Sequence, residues 1–263
     1  MKKGIVYMLE YFTVTITPFL SDRRVSVLLP KSYHTSDKRY PVLYMHDGQN
    51  LFLDEEASFG VSWGLKDYLE QSDLEIIVVG IDCNQEGFER FNEYAPWENR
   101  ELGQRLFNDE NLTGGKGKEY IEYITHELKP LIDEKYRTIP DDTAMAGSSM
   151  GGLISTYAGC RYPHIYKRIG SLSSAYWINQ NEIEAYINES DLTETERFYL
   201  DIGTKEDTSF INHQIYIDSS QAVYDLLKEK VKHVRFEIIE DAVHNEAAWR
   251  ARLPEFLGYL YDK

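Results

Sequence analysis

The chain has 263 residues, 42% of them hydrophobic and 27% charged, which places it among soluble globular proteins able to bury a large core in one unit. Its 28 basic against 44 acidic residues leave a net charge of -16, a surface that repels phosphate and argues against nucleic acid and membrane as partners. No stretch approaches the ~20 apolar residues that span a bilayer. A short apolar run at residues 5–9 stops at Glu10 without a small-residue cleavage site, so a cytoplasmic protein is the default expectation. A mature secreted form stripped of its leader reads the same way. The two cysteines, Cys83 and Cys160, have no metal-binding or redox spacing and read as reduced structural thiols.

Neither a repeat nor a linker interrupts the chain, so one domain over residues 1–263 is expected. Residues 11–17 alternate aromatic or β-branched residues with threonines and read as a half-buried strand. A turn at Ser21-Asp22 then leads into a second, antiparallel strand at 24–29. Apolar runs at 42–45 and 76–81 are continuous, as expected of strands covered on both faces. A helical stretch lies between them, near residues 63–69. Residues 82–116 show no clear period and read as a surface excursion. Tyr120, Ile121, Ile124, Leu128 and Leu131 return to helical spacing, with Pro130 warning of a break.

The second half alternates more regularly. Strands are expected at 143–146, 169–172, 198–202 and 234–239, with helices at 150–160, 221–230 and 246–261. Strands alternating with helices imply a mostly parallel sheet with helices on both faces and antiparallel strands at its start. Ligands on such sheets bind beyond the carboxyl ends of the strands.

At one such end stands Gly147-Ser148-Ser149-Met150-Gly151. A serine held at a sharp strand-to-helix turn presents its hydroxyl above the sheet, and side chains at the flanking positions would collide with strand or helix. The G-x-S-x-G spacing alone recurs by chance in roughly one chain of this size in twenty. The strand before and the helix after it make Ser149 the candidate nucleophile, and no Walker-type lysine supports a phosphate loop instead. Of seven histidines, His34, His46 and His126 precede the serine, His164 follows it too closely, His213 lies in a polar stretch, and His233 precedes its strand. His244 follows a strand and precedes the last helix, where the general base belongs.

The orienting acid should follow the strand ending at Ile202, where Glu206 and Asp207 stand side by side. Residue physics leaves those two level; Asp201 lies inside the strand. The oxyanion donors are expected from the backbone N–H groups of Met150 and of Gln49, with Gly48 letting the chain turn toward the site. A metal role for His46 and Asp47 lacks companion ligands.

Taken together, Tyr44-Met45-His46-Asp47-Gly48-Gln49-Asn50-Leu51-Phe52, Glu127-Leu128-Lys129-Pro130-Leu131-Ile132, Gly147-Ser148-Ser149-Met150-Gly151-Gly152 and Gly203-Thr204-Lys205-Glu206 resemble the esterase D-type family of α/β-hydrolases. That family includes siderophore esterases, feruloyl and acetylxylan esterases, S-formylglutathione hydrolases and the mycolyltransferase antigens. The resemblance implies the α/β-hydrolase fold, no cofactor, and carboxylic ester hydrolysis through an acyl-enzyme. It places the nucleophile on Ser149, the histidine on His244 and the oxyanion donors on Gln49 and Met150. The family's acid follows a Gly-Thr-x element and falls on Glu206; many members have Asp at that place, which keeps Asp207 in view. The substrate it implies is a small-molecule ester, whether short acyl, sugar-linked or siderophore. Arg90, Glu93, Tyr94, Trp97, Phe59, Trp63, Tyr176 and Trp177 are the candidates for the pocket walls. Acyl transfer on the same site and a non-catalytic binding module on the same fold are the alternatives. An intact Ser, His and acid set speaks against the second.

Overall fold

The computed structural model describes residues 8–109, 111–208 and 211–261. Most of the apolar run at 5–9 therefore lies outside the described residues. Among the described residues, eight strands form one sheet: β1 (Met8–Ile16), β2 (Ser21–Leu29), β3 (Tyr40–His46), β4 (Ile77–Ile81), β5 (Thr138–Ser148), β6 (Tyr166–Leu172), β7 (Arg197–Lys205) and β8 (Val234–Val243). Their order is β1-β2-β4-β3-β5-β6-β7-β8. β1 with β2 and β2 with β4 run antiparallel, and every later pair is parallel. This is the α/β-hydrolase arrangement expected from the alternation of strands and helices.

The period-two pleat divides the core between the two faces. Val42, Tyr44, Ile77 and Val79 pack on one face, while Leu43, Met45, Ile76 and Val78 pack on the other. The first face is covered by helices that include α4 (Gly117–Tyr123), α5 (Lys129–Lys135), α6 (Met150–Arg161), α7 (Gln180–Glu189) and α8 (His213–Leu227). The second is covered by α1 (Leu65–Gln71) and α9 (Glu246–Tyr261). Because both faces are buried, the central strands carry unbroken apolar runs. Cys83 and Cys160 are both buried and unpaired. Among the described residues, no helix is long and apolar enough to cross a membrane.

Several local expectations give way to tertiary structure. Ser21 and Asp22 are not the turn but the first residues of β2, paired with Ile16 and Thr15. The turn falls one step earlier, where Leu20 takes a positive φ of 51°. The helix through Pro130 does not break. Helical backbone runs from α4 through a π-helical stretch at Ile124–Leu128 into α5, and Pro130 is the second residue of α5, just past the stretch where the regular hydrogen-bond ladder is interrupted. α7 and the first turns of α8 lack a clear apolar period and are absent from the sequence reading.

The largest departure concerns residues 82–116. They hold two short helices, α2 (Glu89–Tyr94) and α3 (Arg100–Phe107), and are far from a purely surface excursion. Phe91, Asn92, Glu93 and Tyr94 are buried. Glu93 accepts bonds from Arg23 Nη2 at 2.8 and 3.1 Å and from Asn84 Nδ2 at 3.0 Å, pinning α2 onto β2. Both ends of this ion pair are shielded from water, so removing one leaves an uncompensated buried charge. Glu93→Ala should cost about 3–5 kcal/mol in urea unfolding, and an Arg23→Met/Glu93→Leu double variant much less. Equal losses in the two would show that the pair does not anchor this segment.

Candidate active site

Ser149 sits between the end of β5 and the start of α6 with φ 57° and ψ -123°, a sparsely populated conformation for a residue with a side chain. Its N–H donates to the Leu172 carbonyl at 3.0 Å, and its carbonyl accepts from Gly152 at 3.1 Å and Ala175 at 3.0 Å. The turn is so tight that a Cβ on Gly147 would lie 2.7–2.9 Å from the backbone of Gly151. Gly147 is thus a steric requirement of the turn, as the spacing predicts, while a Cβ on Gly151 would meet His46 Cβ at a tight 3.3 Å. Met150 is the first residue of α6, where backbone N–H groups have no intrahelical acceptor.

Across from the turn, β3 ends in a short 3-10 turn at Gly48–Asn50. The left-handed residue here is Asp47, with φ 56°, and not Gly48. Gly48 serves closeness instead: a Cβ there would lie 2.6–2.8 Å from the backbone of Gly80 and Ile81 on β4. Asp47 is held by both oxygens, each 2.7 Å from Arg90 (Nε and Nη2), and its N–H donates to the Tyr94 hydroxyl at 3.1 Å. Burial raises the Asp47 carboxyl, but the Arg90 charge and its bonds outweigh this and hold it below the usual range. Burial lowers the His46 imidazole to about 3, which keeps it neutral. The Gln49 side chain is taken up by Cys83, donating to Sγ at 3.2 Å and accepting from its N–H at 3.1 Å.

His244 follows β8 directly and precedes α9. Its Nδ1 lies 2.9 Å from Glu206 Oε2, so the carboxylate selects the tautomer with hydrogen on Nδ1 and leaves Nε2 as the acceptor. Glu206 is fully buried. Its other oxygen, Oε1, accepts from Ser173 Oγ at 2.6 Å, the Gly203 N–H at 2.7 Å and Arg252 Nη2 at 3.1 Å. Burial pushes this carboxyl up; the bonds from His244 and Ser173 and the Arg252 charge overcome it and hold the group below its ordinary value.

The neighbouring acids go elsewhere. Asp207 is exposed and accepts from the His213 N–H at 3.0 Å and from its ring at 3.1 Å, next to the start of α8. Asp201 is buried inside β7 and pairs with Arg252 Nη1 at 2.7 Å. The two adjacent acids that residue physics left level are therefore separated by structure, and only Glu206 meets His244.

Ser149, His244 and Gln49 border one cleft of about 520 Å³, whose apolar walls include Trp63, Trp249 and Phe59. Of the residues suggested as walls, Phe59, Trp63 and Arg90 line it. Glu93 is turned to Arg23, Tyr94 supports Asp47, and Trp97 packs against Tyr157 and Tyr186. Tyr176 is buried under α6, bonded to Thr156 and Ser171, and Trp177 stands edge-on to Tyr216. Among the described residues, no group of three or more His, Cys, Asp or Glu is arranged to hold a metal ion.

Residues 18–260 match the family described as "Putative esterase". The chain belongs to that family. By family, then, it is a carboxylic ester hydrolase. It is 32% identical to the uncharacterized protein YbbA of Bacillus subtilis (strain 168) over 249 residues, 92% of this chain and 94% of that protein. In structure it is similar to an IroE-like serine hydrolase from Shewanella oneidensis, with TM-score 0.75, 20% identity and coverage of 95% of this chain and 78% of that one. It is also similar to a ferulic acid esterase, with TM-score 0.72, 19% identity and coverage of 97% and 98%. At such identities the structural likeness speaks for the fold alone, and it agrees with the topology described above.

Tyr216 of α8 was not singled out in the sequence, and nothing in one sequence marks it. Its ring packs 5.1 Å from that of His244, and its buried hydroxyl faces the Ser149 side chain. Burial pushes its phenol up to about 12, so it stays protonated. Tyr216→Phe removes the hydroxyl that faces Ser149 and should lower kcat of this esterase about fivefold, near 1 kcal/mol. Tyr216→Ala also frees the His244 ring and should cost far more. Steady-state kinetics of the two variants test this, and equal losses would rule out a role for the hydroxyl itself.

Proposed function

We propose that this family member is a serine carboxylesterase that works through an acyl-enzyme. The observation that carries the reading is the 2.9 Å bond between His244 Nδ1 and a fully buried Glu206, at the edge of the cleft that Ser149 lines. In this mechanism Ser149 Oγ attacks the ester carbonyl as its proton passes to His244 Nε2. The backbone N–H groups of Gln49 and Met150 bind the oxyanion. His244 then returns the proton to the departing alkoxide, leaving the acyl group on Ser149. Water, deprotonated by the same histidine, attacks the acyl-enzyme; collapse releases the acid and restores the serine. Glu206 stays ionised throughout, fixing the tautomer of His244 and stabilising the imidazolium formed in each half-reaction.

The substrate reading rests on the cleft walls. Trp63 and Trp249 pack against each other with centroids 5.6 Å apart, and Phe59 stands exposed at the rim. Apolar and aromatic walls favour an ester with a sizeable apolar or aromatic portion. A ferulic acid esterase of the same fold carries an aromatic acid in its name, which points the same way.

Hydrolysis of p-nitrophenyl acetate separates the assignments. Ser149→Ala should reduce kcat at least about 10³-fold and Glu206→Gln about 10²–10⁴-fold, while Asp207→Asn should stay within about twofold of wild type. Wild-type turnover in Ser149→Ala would remove the serine mechanism. A severe loss in Asp207→Asn with none in Glu206→Gln would reverse the choice of acid.

A further inference from the structure

Behind the His244–Glu206 pair lies a second layer of buried charge. The guanidinium of Arg252, on α9, sits between two buried carboxylates. Nη1 donates to Asp201 Oδ1 at 2.7 Å, and Nη2 donates to Glu206 Oε1 at 3.1 Å. Side-chain exposure is 4% for Arg252 and 0% for each acid, so water does little to screen the three charges. Ser173 Oγ ties the group together, donating to Glu206 at 2.6 Å while accepting from Arg252 Nη1 and from Trp249 Nε1, both at 2.9 Å. The Tyr199 hydroxyl donates to the remaining oxygen of Asp201 at 3.1 Å.

Two carboxylates and one guanidinium leave this network with one net negative charge, and His244 is the titratable ring bonded to it. We infer that Asp201 and Arg252 are positioning residues that set the charge facing His244, and thereby the pH at which the enzyme becomes active. The inference rests on the serine-esterase reading, because it treats His244 as the essential base.

The sign follows from electrostatics. A neutral imidazole is needed to accept the serine proton, so the acid limb of kcat/KM reports its loss of a proton in the free enzyme. Net negative charge nearby favours the imidazolium and moves that limb to higher pH. Removing the Asp201 charge while Arg252 remains brings the network to neutrality and moves the limb down. Burial also pushes the Asp201 carboxyl up to about 6, in spite of the Arg252 charge beside it, so the network carries its full net negative charge above that pH, and it is there that Asp201 bears on the imidazole.

Other groups face the pair from every side. They are Tyr216 on α8, Glu246 at the start of α9, the Asp47–Arg90 pair across the cleft, and Glu237 on β8 near Tyr199. All remain in place in the variants that follow, so differences among those variants isolate the Asp201–Arg252 charges.

The experiment is the kcat/KM–pH profile of the full chain on p-nitrophenyl acetate, with Ser149→Ala run alongside and thermal unfolding confirming that each protein is folded. Asp201→Asn should move the acid limb down by about one pH unit, the scale of one charge a guanidinium away at an effective dielectric near 20. Adding Arg252→Gln to Asp201→Asn restores one net negative charge and should return the limb to within a few tenths of wild type. Arg252→Lys keeps the charge count, so its limb should stay in place even where kcat falls through poorer geometry. A limb unmoved or raised in Asp201→Asn, or a double variant displaced as far as the single one, would overturn the inference. Should Ser149→Ala turn over like wild type, the serine reading itself fails, an outcome distinct from a dead Ser149→Ala with an unmoved limb.

Discussion

The structure turns on the backbone of Ser149. A non-glycine residue at φ 57° and ψ -123° is strained by about 1–3 kcal/mol, and such strain persists only where the surroundings over-determine it. Here the surroundings are the neighbouring strand and the helix that follows. The N–H of Ser149 is tied to β6 at Leu172, its carbonyl receives the N–H groups of Gly152 and Leu153 in α6, and Ala175 beyond β6 donates to the same carbonyl. β5, α6 and the stretch after β6 therefore cannot shift independently of the serine. The hydroxyl is held above the sheet by packing, and the free N–H groups at the start of α6 are delivered with it.

A second constraint comes from burying acids in a chain of net charge -16. Asp47, Glu93, Asp201 and Glu206 are all shielded from water, and each meets an arginine: Arg90, Arg23 or the shared Arg252. Guanidinium suits this work because its planar fork serves two acceptors at once without losing its charge. Each pair also joins segments remote in sequence. Arg90 brings α2 to the loop after β3, Arg23 fastens α2 to β2, and Arg252 draws α9 to β7 and the loop beyond it. The walls of the cleft are placed by these pairs as much as by the apolar core.

What was legible in the sequence follows from this division of labour. The central strands announce themselves because burial on both faces makes them continuously apolar. The Ser149 turn does so because its steric demand is local and falls on glycines. The place of His244 at the edge of the cleft could be read from position alone, since a parallel sheet fixes which strand ends share an edge. Glu206 and Asp207 were not separable by such reasoning. Consecutive residues leaving a strand diverge, and which one turns inward depends on donors from Ser173, Arg252 and His244, each from a different element. The segment at 82–116 was misread for a related reason. Its helices are too short to display a period, and Glu93, offered as a pocket wall, is instead buried against an arginine 70 positions away. Arg252 and Tyr216 carried no local signal at all, because their meaning lies wholly in tertiary contacts.

Glutamate at position 206 fits the same account. Relative to aspartate, it has one more methylene between backbone and carboxylate, and this chain uses the reach in two directions. Oε1 folds back to the Gly203 N–H, three residues earlier at the end of β7, while Oε2 extends forward to His244. A carboxylate stretched this way has its lone pairs shared among an imidazole, a hydroxyl, an amide and a guanidinium, so it is fixed in orientation as well as in charge. The guanidinium is itself anchored by Asp201, which also accepts from the Ser173 N–H and the Tyr199 hydroxyl. Orientation thus passes outward from β7 through Arg252 to Glu206 and then to His244. The last helix, which supplies Trp249 to the cleft wall and Arg252 to the buried charges, belongs to the site as fully as the turn that carries Ser149.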